Sequence, residues 1–229
     1  MKYTYYGHSC FLVEINQTKI LFDPFITPND LAKHIDINSI TCDYIVISHG
    51  HADHIADAVA IAKNTNATII CAYEIYEWLS KQGLSNFRPM NIGGKWNAGT
   101  FTIKCVVAQH SSALPDGTYG GNPMGFIVTS NEGNFYYSGD TALTRDMQLI
   151  PSWAKIDFAV LPIGDNFTMD IEDALSASDF CMTSKVIGVH YNTFPYIVID
   201  EQEAIEKFKN NGKELILLNI GDTINLQSI

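Results

Sequence analysis

Residues 48–54 read Ser-His-Gly-His-Ala-Asp-His and bring three histidines and a carboxylate together in one short stretch. In an extended backbone alternate side chains point the same way, so His49 and His51 can share one metal ion. Asp53 and His54 follow at the turn into a predicted helix, where they can hold a second ion. Imidazole and carboxylate are ligands of zinc and other divalent metals. The stretch therefore predicts a metal site. The alternative is that Asp53 only caps the helix and the histidines are local turn residues.

Three more candidate ligands, His110, Asp140 and His190, each stand at the end of a predicted strand. Side chains at strand ends on one edge of a pair of sheets can converge on one point of a rigid frame. A lone histidine in such a place is more often a hydrogen-bonded core residue than a ligand. The combination of the three with the 48–54 stretch predicts one shared metal centre.

Strands and amphipathic helices follow one another along the whole chain and must position these ligands. Periodicity and turn residues predict strands at 2–6, 10–15, 18–23, 44–48, 67–71, 100–109, 125–130, 134–138, 158–162, 185–189, 214–218 and 223–226. Helices are predicted at 55–62, 74–82, 144–150, 171–182 and 201–210. Asn16 and Gln17 are typical of a tight hairpin, and Gly83 of a helix C-cap. With no linker or repeat, this pattern suits one α/β domain over residues 1–229, with two packed sheets and helices on their outer faces.

The composition excludes several function classes. The formal charge of 14 − 25 = −11 repels polyanions, and without a Lys/Arg cluster nucleic acid is a poor candidate partner. The longest apolar runs fall far short of the roughly 20 residues of a membrane-spanning helix. The first residues lack the pattern of a secretory signal, so we expect a cytoplasmic protein. The five scattered cysteines contain no Cys-x-x-Cys pair and are expected to be buried apolar groups.

The pattern His-x-His-x-Asp-His, followed by His, Asp and His, resembles that of the metallo-β-lactamase superfamily. Four stretches, at 7–11, 138–141, 162–169 and 190–195, look like a branch of short metal-dependent hydrolases. That branch is related to L-ascorbate-6-phosphate lactonase and, more distantly, to phospholipase-D-type phosphodiesterases. The resemblance implies an αββα sandwich of two mixed β-sheets with helices on both outer faces. Asp170 departs from the branch, which has glycine after Thr-Met, so the loop ahead of the 171–182 helix is expected to differ in shape and charge.

The resemblance also implies a role for each ligand. His49, His51 and His110 would hold the first metal, and Asp53, His54 and His190 the second, with Asp140 bridging the two. The nitrogen and oxygen ligand set suits zinc or manganese and is also compatible with iron or nickel. Two divalent ions would activate a shared water and polarise the group under attack, which is the chemistry of a hydrolase.

Other residues are candidates for contacts beside the metals. By resemblance His8 faces the site as a proton donor or substrate contact, while its alternative is a turn histidine bonded to local backbone. Asp165 is expected to orient a ligand histidine, or else is simply a loop acid. The loop 115–123, rich in glycine and proline, either walls the site or merely connects two strands. An aromatic and apolar rim, or ordinary packing near the strand ends, is expected of Tyr119, Met124, Tyr191, Phe194 and Tyr196.

The charges near the predicted site narrow the substrate class. No Lys or Arg occurs at 48–54, 105–125, 134–144 or 162–170, whereas phosphate-rich substrates usually meet such cations. The sequence therefore predicts hydrolysis of a small neutral or singly charged ester, lactone, amide or phosphodiester. A nucleic-acid phosphodiesterase is the alternative enzyme, and a non-catalytic metal-binding or regulatory module is the alternative of another class. The expected partner is a small-molecule substrate, with no nucleic acid or membrane, and a homo-oligomer is compatible with the sequence.

Overall fold

The computed structural model describes residues 1–226, and their strands form two mixed sheets of seven strands each. Six consecutive strands belong to the first sheet: Lys2–Gly7 (β1), Cys10–Ile15 (β2), Thr18–Phe22 (β3), Tyr44–Val46 (β4), Thr68–Ala72 (β5) and Phe87–Met90 (β6). The next seven form the second sheet: Lys95–Asn97 (β7), Thr102–Val107 (β8), Met124–Ser130 (β9), Gly133–Tyr137 (β10), Phe158–Pro162 (β11), Lys185–Val189 (β12) and Glu214–Ile216 (β13). Thr223–Asn225 (β14) returns to the first sheet and pairs with β1.

Six α-helices lie in the described part of the chain: Ala52–Ile55 (α1), Ala58–Thr65 (α2), Tyr73–Ser80 (α3), Ile150–Trp153 (α4), Ile171–Phe180 (α5) and Glu201–Asn210 (α6). The apolar faces of α2 and α3 are buried against the first sheet, and those of α5 and α6 against the second. Between the sheets, aromatic rings interlock, with Phe11 5.0 Å from Tyr137 and Phe22 5.8 Å from Phe135 between ring centroids. Burying such a ring stabilises the fold by about 1.5–3 kcal/mol relative to leaving it in water. The predicted sandwich of two mixed sheets between helices is confirmed.

Both halves of the sandwich bring the carboxyl ends of their parallel strands to one edge. In the first sheet β3, β4, β5 and β6 run parallel, and in the second β10, β11, β12 and β13 do so. Strand β8 is antiparallel to β9, which is antiparallel to β10, so β8 points the same way as β10. Residues that follow β3, β4, β8, β10 and β12 therefore emerge together, which is where the candidate ligands stand.

Most predicted elements are confirmed, and the differences have local causes. The predicted helix 55–62 is divided into α1 and α2, because the Asp57 carboxylate accepts hydrogen bonds from the backbone N–H groups of Ile26 and Thr27. The edge strands β6 and β7 went unpredicted, since both are short and largely polar or exposed. The hairpin at Asn16 and Gln17 is confirmed by positive φ angles of 49° and 70°.

The C-cap of α3 and the state of the cysteines agree with the sequence. Gly83 adopts a φ of 85° directly after α3, as a C-capping glycine does. All five cysteines are buried and carry free thiols, as expected of small apolar groups. Every helix among residues 1–226 is too short or too polar to span a lipid bilayer.

Candidate metal centre

The three-histidine group consists of His49, His51 and His110, which come from the loop after β4 and the loop after β8. Nε2 of His49 lies 2.9 Å from Nδ1 of His51, and the three rings are 4.5–5.1 Å apart between centroids. One nitrogen from each ring falls within 4.8 Å of the other two. Zinc–nitrogen bonds of 2.0–2.1 Å at tetrahedral angles place two ligand nitrogens roughly 3.3 Å apart. The group is therefore the right size for one divalent ion.

The aspartate group consists of Asp53, His54 and His190, with His8 beside it. Oδ2 of Asp53 lies 3.9 Å from Nε2 of His54 and 3.9 Å from Nε2 of His190. Nε2 of His8 is closer, at 3.1 Å from the same oxygen. Because one donor atom from each of the four residues lies within 4.8 Å of the others, this group can also hold one ion.

Asp140 lies between the two groups. Its Oδ2 atom is 3.1 Å from Nε2 of His54 and 3.0 Å from Nε2 of His190. The same oxygen is 3.7 Å from Nε2 of His110 and 4.0 Å from Nε2 of His49. A single carboxylate oxygen is thus in reach of both groups, which is the position a bridging ligand needs. All seven predicted ligands lie together at one edge of the sandwich.

Unpaired buried atoms show that the residues fit a metal. Nε2 of His54 and Oδ1 of Asp140 are buried and form no hydrogen bond with any other group in residues 1–226. A buried polar atom without a partner costs about 1–3 kcal/mol, so such atoms are uncommon and call for a physical cause. A divalent cation bound by the surrounding imidazoles and carboxylates satisfies both atoms. The donor set is the nitrogen and oxygen set that zinc, manganese, iron and nickel accept.

Asp23, which follows β3, organises one ligand of each group. Its buried carboxylate accepts hydrogen bonds from Nδ1–H of His54 at 2.8 Å and from the hydroxyls of Ser48 at 2.6 Å and Tyr137 at 2.6 Å. Since the Ser48 hydroxyl donates to Asp23, it accepts from Nδ1–H of His49, 2.9 Å away. Both imidazoles therefore hold a proton on Nδ1, which leaves Nε2 as the nitrogen that can bind a metal.

Charge is distributed unevenly between the two groups. Burial lowers the pKa of His49, His51 and His110, which keeps the three-histidine group in its neutral, ligating form. Burial acts in the same direction on His54, but the carboxylates of Asp140, Asp53 and Asp23 outweigh it and raise the His54 pKa well above its ordinary value. The aspartate group therefore binds a metal in competition with a proton.

The two carboxylates of the centre stay ionised. Although burial by itself raises the pKa of Asp53, the neighbouring His54 and His8 bring it well below its ordinary value. Burial is likewise outweighed at Asp140, where His190 and His54 hold the pKa well below the usual range. Ionised carboxylates are the form that ligates a metal.

His8 is buried in the turn between β1 and β2 and reaches the centre on the side of the aspartate group. Its ring contacts Asp53 through Nε2 and the Thr193 hydroxyl through Nδ1, at 3.1 Å each. Its backbone carbonyl accepts hydrogen bonds from the Tyr5 hydroxyl and the N–H of His190. The structure therefore places His8 against the ligands, as predicted, and its role in chemistry stays a prediction.

The expectation for Asp165 was wrong. This residue lies in an exposed turn with a φ of 64°, and its carboxylate accepts a hydrogen bond from the N–H of Asn166. Within residues 1–226 it forms no hydrogen bond with a histidine, because the turn carries its side chain outward. Asp23 does what was assigned to Asp165, and it went unrecognised because it was interpreted only as the end of a strand. The same rule that singled out Asp140, an acid directly after a strand, applies to Asp23.

The predicted aromatic rim is only partly present. Phe194 lies beside the centre, with its ring 5.3 Å from that of His8. Tyr119 and Tyr196 are exposed. Met124 and Tyr191 are instead buried in the core, so their expected place on the rim was wrong. Met124 is the first residue of β9 and Tyr191 lies two residues after β12, and both fill positions in the apolar core.

The loop 115–123 packs against the backbone between the first two ligand histidines. Ser112, just before it, accepts a hydrogen bond from the N–H of Gly50, and its carbonyl accepts one from Gly120. A Cβ at Gly120 would collide with the Ser112 hydroxyl, which explains a glycine here.

Asp170, the departure from the expected glycine, caps α5 by accepting a hydrogen bond from the N–H of Asp173.

Comparisons with known proteins agree with this geometry. A family model described as a beta-lactamase superfamily domain matches residues 18–191. The chain is 51% identical over 226 residues to a UPF0173 metal-dependent hydrolase of Flavobacterium johnsoniae, covering 99% of this chain and 100% of that protein. A relative of the same name in Christiangramia forsetii is 52% identical, with coverage of 99% and 100%.

A solved structure is similar over its whole length. Igni18, described as a novel metallo hydrolase from Ignicoccus hospitalis, superimposes with a TM-score of 0.89 at 36% identity, covering 99% of this chain and 98% of that one. The fold, the gathering of the ligands at one edge of the sandwich and the sequence relatives all indicate the same family. The chain belongs to the beta-lactamase superfamily and, within it, to the UPF0173 metal-dependent hydrolase family.

Proposed function

We propose that this metal-dependent hydrolase uses two divalent ions to cleave a small neutral or singly charged ester, lactone, amide or phosphodiester. The observation that carries the proposal is the position of Asp140, whose Oδ2 atom is within 3.0–4.0 Å of histidine nitrogens from both ligand groups. A carboxylate oxygen in that position can contact ions in both groups at once. Zinc and manganese are the proposed ions, and iron and nickel are compatible with the same donors.

The bound ions supply an activated water and polarise the oxygen of the group under attack. The protein's own residues position the substrate and move protons beside those ions. Asp53 is ionised, and its Oδ2 atom contacts His8. Because burial and the neighbouring His190 lower its pKa to about 4, His8 is neutral near pH 7 and can contact the substrate or relay a proton from one ring nitrogen to the other. Thr193 fixes the opposite side of its ring.

The surroundings support a substrate of low charge. The loops after the ligand-bearing strands contain no Lys or Arg, so the site offers no fork of hydrogen-bond donors to a phosphate-rich substrate. Phe25 and Phe194 stand against His8, with ring centroids 5.4 and 5.3 Å away. These rings favour an apolar group next to the scissile bond.

Relatives support hydrolysis without naming a substrate. Proteins that match 99% of this chain at 51% and 52% identity carry the name metal-dependent hydrolase. The acidic balance of the chain argues against the nucleic-acid phosphodiesterase considered above. We further propose a cytoplasmic protein with a small-molecule substrate and neither nucleic acid nor membrane as partner.

Turnover of chromogenic substrates tests the proposal. Protein loaded with zinc or with manganese is assayed with p-nitrophenyl acetate and with bis(p-nitrophenyl) phosphate. Hydrolysis of either one that disappears on chelation and returns with the ion supports the proposal. The Asp140→Ala protein is the negative control, and Asp165→Ala, which alters an exposed acid on a neighbouring loop, is the matched positive control. Absence of turnover in a protein holding two ions favours the non-catalytic metal-binding module.

A further inference from the structure

A groove of about 570 Å³ lies outside the metal centre, between α3 and the loop that follows His110. We call it the aromatic groove and define it by Tyr73, Glu74, Glu77, Trp78, Asp116 and Tyr119. The two tyrosines are large exposed rings, at 55% for Tyr73 and 61% for Tyr119. Exposed aromatic rings around a concave surface are typical of a binding site.

Two of the three rings of the groove, Trp78 and Tyr119, are held in place. The indole N–H of Trp78 donates a hydrogen bond of 2.7 Å to the Asp116 carboxylate. The Tyr119 hydroxyl donates to the side-chain oxygen of Asn122 at 2.6 Å. Rings fixed by hydrogen bonds lose little conformational freedom when a ligand binds, which favours affinity.

The charge of the groove is negative. Glu74, Glu77 and Asp116 contribute three carboxylates against the one ammonium of Lys81, giving −3 + 1 = −2. Neither Glu74 nor Glu77 forms an ion pair with any residue between 1 and 226. The hydrogen bonds from Thr118 and Trp78 lower the pKa of Asp116, so that carboxylate is ionised. The groove thus complements a cation.

The other two tryptophans of the chain show what Trp78 lacks. The Arg88 guanidinium lies 5.3 Å from the ring centre of Trp96, and the Lys104 ammonium lies 4.7 Å from that of Trp153. Within the described residues, no cation of the chain lies over Trp78 in this way. Tryptophan is the side chain that attracts a cation to its face most strongly. Trp78 therefore lines the groove beside carboxylates that suit a cation and has no cation of the described residues over its ring.

We propose that the aromatic groove binds a small organic cation, an alkylammonium compound whose charged head lies against Trp78 and near Glu74 and Glu77. The groove is tied to the metal centre through Leu114, which lines it and also packs against Gly50, between His49 and His51. The site does not depend on the proposed hydrolysis, because its residues contribute no metal ligand.

Choline and its neutral isostere 3,3-dimethylbutan-1-ol test the proposal on the zinc-loaded protein at constant ionic strength. The readout is the ¹⁵N-edited NMR signal of the Trp78 indole N–H, identified with the Trp78→Phe variant. Choline is expected to shift this signal saturably, while the Trp96 and Trp153 signals stay in place. The neutral isostere is expected to bind at least about tenfold more weakly, because it lacks the charge that the ring and the carboxylates attract.

Two double variants separate the groove from general charge effects. Glu74→Gln with Glu77→Gln is expected to weaken choline binding by about tenfold. Glu203→Gln with Glu206→Gln removes the same charge from α6 and is expected to leave binding unchanged. An unmoved Trp78 signal, equal binding of the alcohol, or equal affinity in both double variants would overturn the proposal. Inhibition of turnover by choline without a Trp78 shift would place the cation at the metal centre and would equally overturn it.

Discussion

The two ligand groups of the metal centre sit side by side but are supported differently. The three-histidine group has no carboxylate of its own, and His51 and His110 are partly exposed. Hydroxyl groups contact its rings: that of Ser48 lies 2.9 Å from Nδ1 of His49, and that of Ser111 lies 3.4 Å from Nε2 of His51. Such a set of neutral, accessible ligands suits an ion that exchanges with solvent.

The aspartate group is buried and rich in charge. His54 and His190 are almost fully shielded from solvent, and Asp53 supplies a carboxylate within the group. Behind His54 stands the buried carboxylate of Asp23 rather than a hydroxyl. A carboxylate hydrogen-bonded to a ligand histidine fixes its ring and strengthens it as a ligand. The comparison indicates a firmly held ion in the aspartate group and a more exchangeable one in the three-histidine group.

Removing the residue that the groups share has the largest expected effect. Asp140→Ala is expected to lose both ions and with them all metal-dependent turnover, because its Oδ2 atom contacts histidines of both groups. Metal content per chain, measured by plasma emission, checks this. Asp165→Ala is the control and is expected to keep both ions. If the Asp140→Ala protein retains one full equivalent of metal per chain, the carboxylate is a ligand in one group alone.

Removing one histidine from each group tests the difference between them. His190→Ala is expected to empty the aspartate group and leave one loosely held ion. His51→Ala is expected to empty the three-histidine group and leave one firmly held ion, since the remaining group keeps Asp53 and the support of Asp23. The rate of ion loss to a chelator distinguishes the two variants. Equal rates would mean that burial and carboxylates do not set the retention of the ion.

The comparison between the groups also shows what sequence can predict. The seven ligands were predictable because each lies within three residues after a strand or in one dense stretch, and parallel strands bring such positions to one edge. The residues that hydrogen-bond to the ligands were harder to predict. Asp23 ends a predicted strand and Asp165 follows another, and only the backbone decides between them. The turn at Asp165 directs its carboxylate outward, whereas Asp23 remains buried between the sheets.

The fold was predictable for a related reason. Buried strands such as β2 and β11 have apolar patterns that report their burial directly. The strands β6 and β7 lack such a pattern, since packing and pairing at a sheet edge hold them in place rather than their own residues. The division between α1 and α2 likewise arises from contacts of Asp57 with a distant loop. Long-range contacts of this kind have no local sequence pattern.

His8 separates binding from chemistry on the side of the aspartate group. His8→Ala is expected to keep both ions while turnover falls by about 10²–10⁴, the usual contribution of a positioned acid or base. Because the ring is buried, the melting temperature is expected to fall as well, so metal content is measured on the folded protein. His34→Ala, which changes an exposed histidine, is the control. Burial and the neighbouring His190 lower the pKa of His8 to about 4, so any limb of the pH–rate profile that belongs to it lies below that of a solvated imidazole. Unchanged turnover in a His8→Ala protein that holds both ions would mean that His8 is a turn residue with no part in the chemistry.

Asp23→Asn is expected to weaken the aspartate group more than the three-histidine group. An amide in this place cannot accept all the hydrogen bonds that His54, Ser48 and Tyr137 now donate, so the His54 ring loses its fixed orientation. Loss of such a supporting carboxylate typically costs 10–100-fold in metal affinity, about the range expected here. Ser48→Ala, which removes only the hydroxyl behind His49, is the matched variant. Titration with a metal indicator measures both. A larger loss in Ser48→Ala than in Asp23→Asn would reverse the comparison.

The pH dependence of metal binding should differ between the groups as well. Carboxylates raise the pKa of His54, so near neutral pH a metal entering the aspartate group must displace a proton. Below that raised pKa, affinity is expected to fall by about tenfold for each unit that the pH decreases. Burial lowers the pKa values of His49, His51 and His110, which are therefore already deprotonated. The affinity of the three-histidine group should then stay level between pH 6.5 and 7.5 (about one pH unit). Titrations of His190→Ala and His51→Ala at several pH values isolate the two slopes, and parallel slopes would contradict the uneven distribution of charge on which the comparison rests.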